Sequence, residues 1–226
     1  MKDKNIQYRN IAIDEDFKPS EHRAEPNGET IRVLEGYAAK WGVKSKLLRS
    51  DGEYFYEILT REAFDKPEIL EGDTTYNKDH DDEYLIARTE AGTLSLTVDD
   101  VGLYFKATLT PGVSYAEDLY RNVLARNIKE NSFAFIATPE DYSWSWDETE
   151  DVPVGTLNNI RRLLDVSSVV RPAYPETTLE ARSVAIESCE DFMTSRKTED
   201  PSIAPDDSLK LEGEARKRKL KLKNQK

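Results

Sequence analysis

Alternating apolar and polar positions dominate the middle of the chain and predict β-strands. Leu94, Leu96 and Val98 alternate with polar residues, and the apolar positions of 103–109 do the same after a polar turn at 99–102. Because side chains of a strand point alternately to its two faces, these two runs predict a hairpin. Further strands are predicted at residues 6–13, 31–41, 54–59, 84–88, 131–137, 142–146 and 157–170.

Helical spacing is rarer than strand alternation. Ser114 and Glu117 have the spacing of a capping box, and apolar residues then follow on one helical face as far as Ile128. A shorter helix is predicted after Thr60. Closure of a sheet removes the strand edges that promote aggregation. We therefore predict a mainly β (α+β) fold, a closed or nearly closed β-barrel with a few surrounding helices.

The predicted strand 131–137 has two different faces. Phe133 and Phe135 fall on one face, and Ser132, Ala134 and Ile136 fall on the other. We expect the phenylalanine face to lie in the core. The opposite face would then expose the Ser132 hydroxyl in a shallow groove.

Charge divides the chain into two parts. The 226 residues have a formal net charge of −12, yet the last eleven, RKRKLKLKNQK, contain basic and no acidic side chains. The segment before this basic end has too little apolar periodicity to form a core. We predict a folded domain at residues 1–185 and a charged, disordered tail at 186–226, with a short helix near 208–219. The tail either solubilises the protein or docks on an acidic partner.

Composition excludes several classes of protein. No stretch approaches the ~20 apolar residues of a membrane span, and the opening residues contain no apolar signal segment. The single cysteine, Cys189, excludes an internal disulfide and a CxxC metal site, so we expect a reducing compartment. The acidic body also argues against direct binding of nucleic acid or membrane.

Only His22 and His80 are available as a histidine general base. His22 lies in a polar segment with proline and glycine, and we expect it in a solvated loop. His80 lies among carboxylates directly before a predicted strand. It is either a surface histidine or a base whose protonated form the nearby negative charge stabilises.

A calcium loop is the third interpretation of the segment around His80. Oxygen-bearing residues alternate there at Asn77, Asp79, Asp81 and Glu83. However, the sixth position is Asp82 where an EF-hand needs glycine, and the twelfth is Arg88 where it needs a bidentate glutamate. A base also requires a nucleophile, and the many serines and the absence of a G-x-S-x-G motif leave that choice open.

Several segments in order resemble the HK97-type prohead proteases, which are capsid-maturation serine proteases of tailed bacteriophages and proviruses. They are LEGYAAKWG, EILTREAFD, HDDEYLIARTEAGTLSLTVDDVGLYFKATL, NIKENSFAFIA and RRLLDVSSVVRPAYPETTLEAR, between residues 34 and 182. The resemblance implies Ser132 as the nucleophile, His80 as the general base and Asp165 as the third member. Asp81 is a rival for that third place, and Asp165 could instead pair with an arginine at 161 or 162.

The resemblance also sets expectations for fold, substrates and location. It implies a β-barrel like that of herpesvirus assemblin. The sequence does not identify the donors to the oxyanion, and Arg171 is a candidate auxiliary by position alone. Ala87, Ala134 and the pair at 130–131 depart from the family pattern around the site.

The implied activity is endoproteolysis of scaffold or capsid-protein delta regions, and of the enzyme itself, inside an immature procapsid in the host cytoplasm. The implied mechanism needs no metal or organic cofactor, and self-association stays open. We expect the tail to dock the enzyme during assembly and to be removed by self-cleavage between residues 183 and 216. The alternative is a noncatalytic β-barrel adaptor that its basic tail tethers to a capsid or scaffold.

Overall fold

The computed structural model of the protein describes residues 6–12, 17–23, 30–45, 47–50, 53–170 and 183–199. Its strands are β1 (Ile6–Ala12), β2 (Lys18–Arg23), β3 (Thr30–Lys40), β4 (Leu48–Ser50), β5 (Glu53–Leu59), β6 (Thr75–Lys78), β7 (Asp81–Arg88), β8 (Leu94–Val98), β9 (Gly102–Leu109), β10 (Glu130–Ile136), β11 (Tyr142–Asp147), β12 (Val152–Leu157) and β13 (Arg162–Val169). The helices are α1 (Pro67–Leu70), α2 (Ser114–Leu124) and α3 (Ser183–Glu199), with 3₁₀ turns at Arg61–Ala63 and Pro139–Asp141.

The described strands form three sheets. Their strand orders are β1-β10-β13-β6-β7, β11-β12-β5-β4 and β2-β3-β9-β8. The prediction of a mainly β protein with few helices is confirmed. A closed barrel is not found among the described residues, because their strands divide into three sheets that each end in two edge strands.

Strand β10 lies inside the first sheet, between β1 and β13. Phe133 stacks on Phe135 with ring centroids 5.5 Å apart and meets Phe64 edge-on, so the prediction that this face lies in the core is confirmed. The predicted shallow groove is wrong, since Ser132 is fully buried. Strands on both sides of β10 cover its backbone, and the ring of His80 lies against the Ser132 hydroxyl.

The predicted strand at 157–170 is two strands in two sheets. β12 ends at Leu157, and the chain then crosses to β13, with the Arg161 N–H donating to the Ile136 carbonyl. The acidic segment of residues 147–155, which contains Pro153, includes most of β12. Pro153 pairs with Trp146 of β11 and lies one residue before the first pair of β12 with β5, at Val154.

The predicted amphipathic helix is present as α2. It buries Ala116, Leu119, Tyr120 and Val123 against the core. The capping box is wrong, because the residue before the helix is Val113 and no side chain caps the helix. Glu117 instead forms ion pairs with Arg32 and Arg121.

Helix α3 crosses the expected boundary between residues 185 and 186. It buries Val184, Ala185 and Cys189, and its Ser188 hydroxyl accepts a 2.8 Å hydrogen bond from the indole N–H of Trp144. The sequence missed this helix because its apolar positions are few. Residues 200–226, with the predicted short helix, lie outside the described residues.

No helix among the described residues is long and apolar enough to cross a membrane. His22 lies in strand β2, where its backbone is in register with Ile31, so the expectation of a loop there is wrong.

Candidate active site

His80 lies on the tight turn that joins β6 to β7. Lys78 and Asp81 face each other across the two strands, so the turn contains only Asp79 and His80, with φ angles of 55° and 58°. Two successive positive φ angles define a type I′ turn, which favours asparagine, aspartate and glycine. The backbone of His80 is therefore strained, and strained residues of this kind are often found at functional sites.

Three hydrogen bonds fasten this turn to the end of β13. The Asp79 N–H donates to the Ser168 carbonyl at 3.0 Å, and the Val170 N–H donates to Asp79 Oδ1 at 2.8 Å. The His80 N–H donates to Ser167 Oγ at 3.2 Å. The backbone of His80 is therefore held in a fixed position relative to β13 and to the adjacent β10.

The imidazole of His80 joins Asp165 to Ser132. Its Nδ1 lies 2.7 Å from Asp165 Oδ1, and its Nε2 lies 2.7 Å from Ser132 Oγ. Asp165 and Ser132 come from neighbouring strands, β13 and β10. His80 and Ser132 thus lie within hydrogen-bond reach of each other.

Burial of these side chains increases toward the serine. The side chains of His80 and Asp165 keep 17% and 12% of their surface exposed, whereas Ser132 is fully buried. Water is therefore largely excluded from the hydroxyl, which strengthens any charge interaction that develops there.

Asp165 has a second partner that the sequence did not single out. Ser167 lies two residues further along β13 and donates its hydroxyl to the same Oδ1 at 2.7 Å. Ser167 thus connects the backbone N–H of His80 to the carboxylate that contacts the imidazole. Its signal in the sequence was the two-residue spacing from Asp165, which places both side chains on one face of a strand.

Asp81 does not contact the imidazole of His80, and Asp165 does not pair with Arg161. Asp81 is exposed, and its carboxylate accepts the Glu83 N–H at 3.0 Å. Arg161 forms ion pairs with Glu140 and Asp141 and not with Asp165. Asp165 is thus the carboxylate placed against the imidazole.

The proton of the Ser132 hydroxyl has two acceptors within reach. The Arg9 carbonyl oxygen lies 2.9 Å from Ser132 Oγ, and His80 Nε2 lies on its other side. A hydroxyl has one proton to donate. Donation to Nε2 leaves His80 neutral, with its Nδ1–H on Asp165. Donation to Arg9 leaves the 2.7 Å contact as a hydrogen bond only if Nε2 carries a proton, and the ring is an imidazolium if Nδ1–H also stays on Asp165.

Tyr8 of β1 closes one side of the site. Its ring meets the ring of His80 edge-on, with centroids 4.7 Å apart. Burial and the carboxylates of Asp165 and Asp82 raise the pKa of Tyr8 above its ordinary value. Tyr8 therefore stays a neutral phenol at physiological pH and contributes packing against the imidazole.

The alternating oxygens that suggested a calcium loop have separate contacts. The Asn77 amide donates to Asp82 at 3.1 Å, while Asp79 and Asp81 accept backbone N–H groups. Across the described residues, no group of three or more histidine, cysteine, aspartate or glutamate side chains could hold a metal ion. Arg171, expected as an auxiliary, lies outside the described residues.

A hydroxyl, an imidazole and a carboxylate connected in this order are the arrangement that serine hydrolases use. The chain belongs to the Caudovirus prohead serine protease family, whose model matches residues 18–192. It is accordingly a serine protease of phage capsid assembly, which favours the protease over the noncatalytic adaptor.

A solved structure is also similar to this chain. It is the capsid assembly protease of bacteriophage T4, with a TM-score of 0.48 and 11% sequence identity, covering 74% of this chain and 98% of that chain. No curated protein matches the chain.

Proposed function

We propose that Ser132, His80 and Asp165 are the nucleophile, the general base and the orienting carboxylate of peptide-bond hydrolysis. The two 2.7 Å contacts of the His80 ring carry this proposal. Ser132 Oγ forms a bond to the scissile carbonyl carbon while its proton moves to His80 Nε2. The C–N bond then breaks, and the leaving amine takes that proton. Water repeats the sequence on the acyl-enzyme and releases the acid.

The charge of Asp165 matters most while the proton resides on the imidazole. The imidazolium then has a carboxylate at Nδ1, and the Ser167 hydroxyl holds that carboxylate in place. The positive φ of His80 and the hydrogen bonds from its turn to β13 fix the position of the ring before substrate binds. Preorganised groups of this kind lower the barrier because they need no rearrangement during the reaction.

The substrates we infer are the scaffold or the delta region of the capsid protein, and the enzyme itself, inside the immature procapsid. Family membership supports this inference, because the family processes proteins of capsid assembly. The test is co-expression with the neighbouring capsid and scaffold proteins. Ser132→Ala should leave them at full length, and Ser95→Ala, which removes an exposed hydroxyl from β8, should process them as the wild type does. Normal processing by Ser132→Ala would refute the assignment.

Self-cleavage of the tail follows from the same proposal. A protease accepts extended chain, and residues 183–199 form a helix that packs on Trp144. We therefore expect cleavage between residues 200 and 216, in the later part of the window that the sequence suggested. Mass spectrometry of the purified wild type should show loss from the C-terminus over time, whereas Ser132→Ala stays intact. Equal shortening of both would identify a contaminating protease.

Docking by the basic end is a separate expectation. Its positive charge would attract an acidic scaffold segment and raise the local concentration of the enzyme. Replacing the basic residues of 216–226 by glutamine should reduce co-sedimentation with procapsids without changing peptide cleavage. Unchanged co-sedimentation would refute the docking role.

A further inference from the structure

Strand β1 occupies the edge of the sheet directly beside the nucleophile strand. Its seven residues pair antiparallel with β10, and Asn10 faces Ser132 in the register. The segment that matches the family model begins at residue 18, after β1. One of the two strands that flank Ser132 is thus supplied by chain outside the matched protease segment. An extended peptide that adds to a sheet edge is a common mode of peptide recognition.

The side chain of Arg9 enters a closed polar pocket on the other face of β1. Both guanidinium contacts with the Glu57 carboxylate are short, with Nη2 lying 2.7 Å from Oε1. Nη2 also donates to the Tyr142 hydroxyl at 3.1 Å, and that hydroxyl donates to Glu57 at 3.0 Å. The guanidinium lies over the Phe135 ring at 5.4 Å.

This pocket requires a cation. Glu57 is only 3% exposed and Arg9 only 5%, and a buried carboxylate is costly without a paired, hydrogen-bonded positive charge. Burial by itself lowers the pKa of Arg9, but Glu57 and Tyr142 outweigh it and raise that pKa. Burial and Glu57 raise the pKa of Tyr142 well above its ordinary value, so its hydroxyl remains a donor.

The side chain of Gln7, also in β1, is less well satisfied by hydrogen bonds than that of Arg9. Gln7 is fully buried, and its Oε1 has no hydrogen-bond partner among the described residues. A buried acceptor left unpaired destabilises the strand that carries it. Arg9 is therefore the residue that anchors β1, whereas the site of Gln7 leaves a buried acceptor unpaired.

Arg9 also stands in a particular relation to the nucleophile. Its carbonyl oxygen lies 2.9 Å from Ser132 Oγ, while its side chain fills the Glu57 pocket. In a protease substrate, the residue before the scissile bond likewise places its carbonyl group beside the nucleophile and its side chain in a specificity pocket. We propose, on the basis of the serine-protease function above, that the β10 edge binds substrate as an extended strand. Glu57 and Tyr142 then select arginine or lysine directly before the scissile bond, and β1 occupies the site as an internal blocking strand.

The blocking strand accounts for the closed state of the site. Ser132 is fully buried, and Tyr8 of the same strand lies against the His80 ring. A substrate must displace β1 before its own carbonyl can reach Ser132. Weakening the hold of Glu57 on Arg9 should therefore open the site to peptides added in solution.

The experiment uses full-length Arg9→Ala and two peptides with the sequence of residues 6–12. One peptide is IQYRNIA, and the other has citrulline, which is uncharged and nearly the same shape, in place of arginine. Arg9→Ala should cleave the arginine peptide after its arginine, at least about tenfold faster than the citrulline peptide, and faster than the wild type does. Arg32→Ala, which removes the ion pairs of Arg32 with Glu21 and Glu117, is the matched control and should behave as the wild type.

The pocket itself is tested by adding Glu57→Gln to Arg9→Ala. The double variant should still cleave but lose the preference for arginine over citrulline. A retained preference in a double variant with native circular dichroism would refute the role of Glu57. Cleavage of the wild type after its own Arg9 would support the pocket.

A second measurement serves if Arg9→Ala loses its fold. Peptidyl phosphonates with an arginine or a norleucine side chain react with the serine of the wild-type protein, and intact mass reports the rate. The arginine probe should label at least about tenfold faster, and Ser132→Ala should stay unlabelled. Equal labelling by both probes would refute the arginine pocket but not the serine-protease function. Absence of labelling, together with uncleaved capsid protein, would overturn the proposed function and this inference with it.

Discussion

The replacement of Asp165 by asparagine isolates the contribution of one negative charge to the site. Asp165 Oδ1 accepts two hydrogen bonds, from the ring of His80 and from the hydroxyl of Ser167, both at 2.7 Å. Because both converge on one oxygen, the amide oxygen of asparagine can retain them. Asp165→Asn should therefore keep the fold and the ring orientation while it removes the charge.

The magnitude follows from the separation of the charges. The imidazolium formed during catalysis and the carboxylate have their charge centres about 4 Å apart, and such a pair near a protein surface is worth about 4 kcal/mol. That energy corresponds to a loss of roughly 10³-fold in kcat/KM. An amide that turned its NH₂ toward Nδ1 would impose the wrong tautomer, and the loss would then approach about 10⁴-fold.

The assay compares Asp165→Asn with Asp81→Asn. Single-turnover cleavage of capsid protein by excess enzyme gives the chemical step, and phosphonate labelling of Ser132 gives nucleophile reactivity without a protein substrate. Asp81→Asn should remain within about twofold of the wild type, since Asp81 is exposed and its carboxylate accepts the Glu83 backbone N–H. Circular dichroism and melting temperature control for the fold.

Two results would refute this reasoning. A loss of less than about tenfold for Asp165→Asn would mean that the carboxylate contributes little charge stabilisation to the imidazolium. A loss for Asp81→Asn equal to that for Asp165→Asn would make Asp81 the functional partner of His80.

Three further predictions concern strain, packing and dispensable residues. His80→Gly and His80→Ala should both be inactive. The free energy of unfolding of the glycine variant should be about 1 kcal/mol higher than that of the alanine variant, because a φ of 58° favours glycine. Equal free energies of unfolding in urea would refute the backbone strain at His80. Gly155→Ala would bring its Cβ within 2.8 Å of the Trp144 ring and should destabilise the protein by about 1–3 kcal/mol, measured by thermal melting. Cys189→Ala and His22→Ala should leave proteolysis unchanged, although loss of the buried thiol should lower stability by about 1 kcal/mol.

The sequence predicted the strands whose apolar alternation is long. The hairpin of β8 and β9, the core face of β10 and the helix α2 are confirmed, because burial of one face imposes a period that the residues record. The short β6 and the proline-containing β12 were missed. Their residues adopt strand conformation because neighbouring strands pair with them, and that pairing leaves little local signal.

The site could be predicted only by combining two sources. Resemblance selected Ser132, His80 and Asp165 from many candidates, and the structure brings their side chains into contact. The role of β1 had no local signal, since its pairing with β10 joins residues more than a hundred positions apart. A buried arginine in that strand can be recognised only once Glu57 is known to lie opposite it.

The geometry of the site depends on irregularities in strand pairing. The register of β10 with β13 shifts between Ala134 and Phe135, and that of β6 with β7 shifts twice just before the His80 turn. Such bulges bend a strand and turn its side chains, and a slip of one residue would move Ser132 to the face of Phe133. The turn compensates through its ties to Ser167 and Ser168, which fix His80 to the strand that carries Asp165. Register and strain therefore act together, since the strained turn holds the imidazole at the one register position from which it reaches both Asp165 and Ser132.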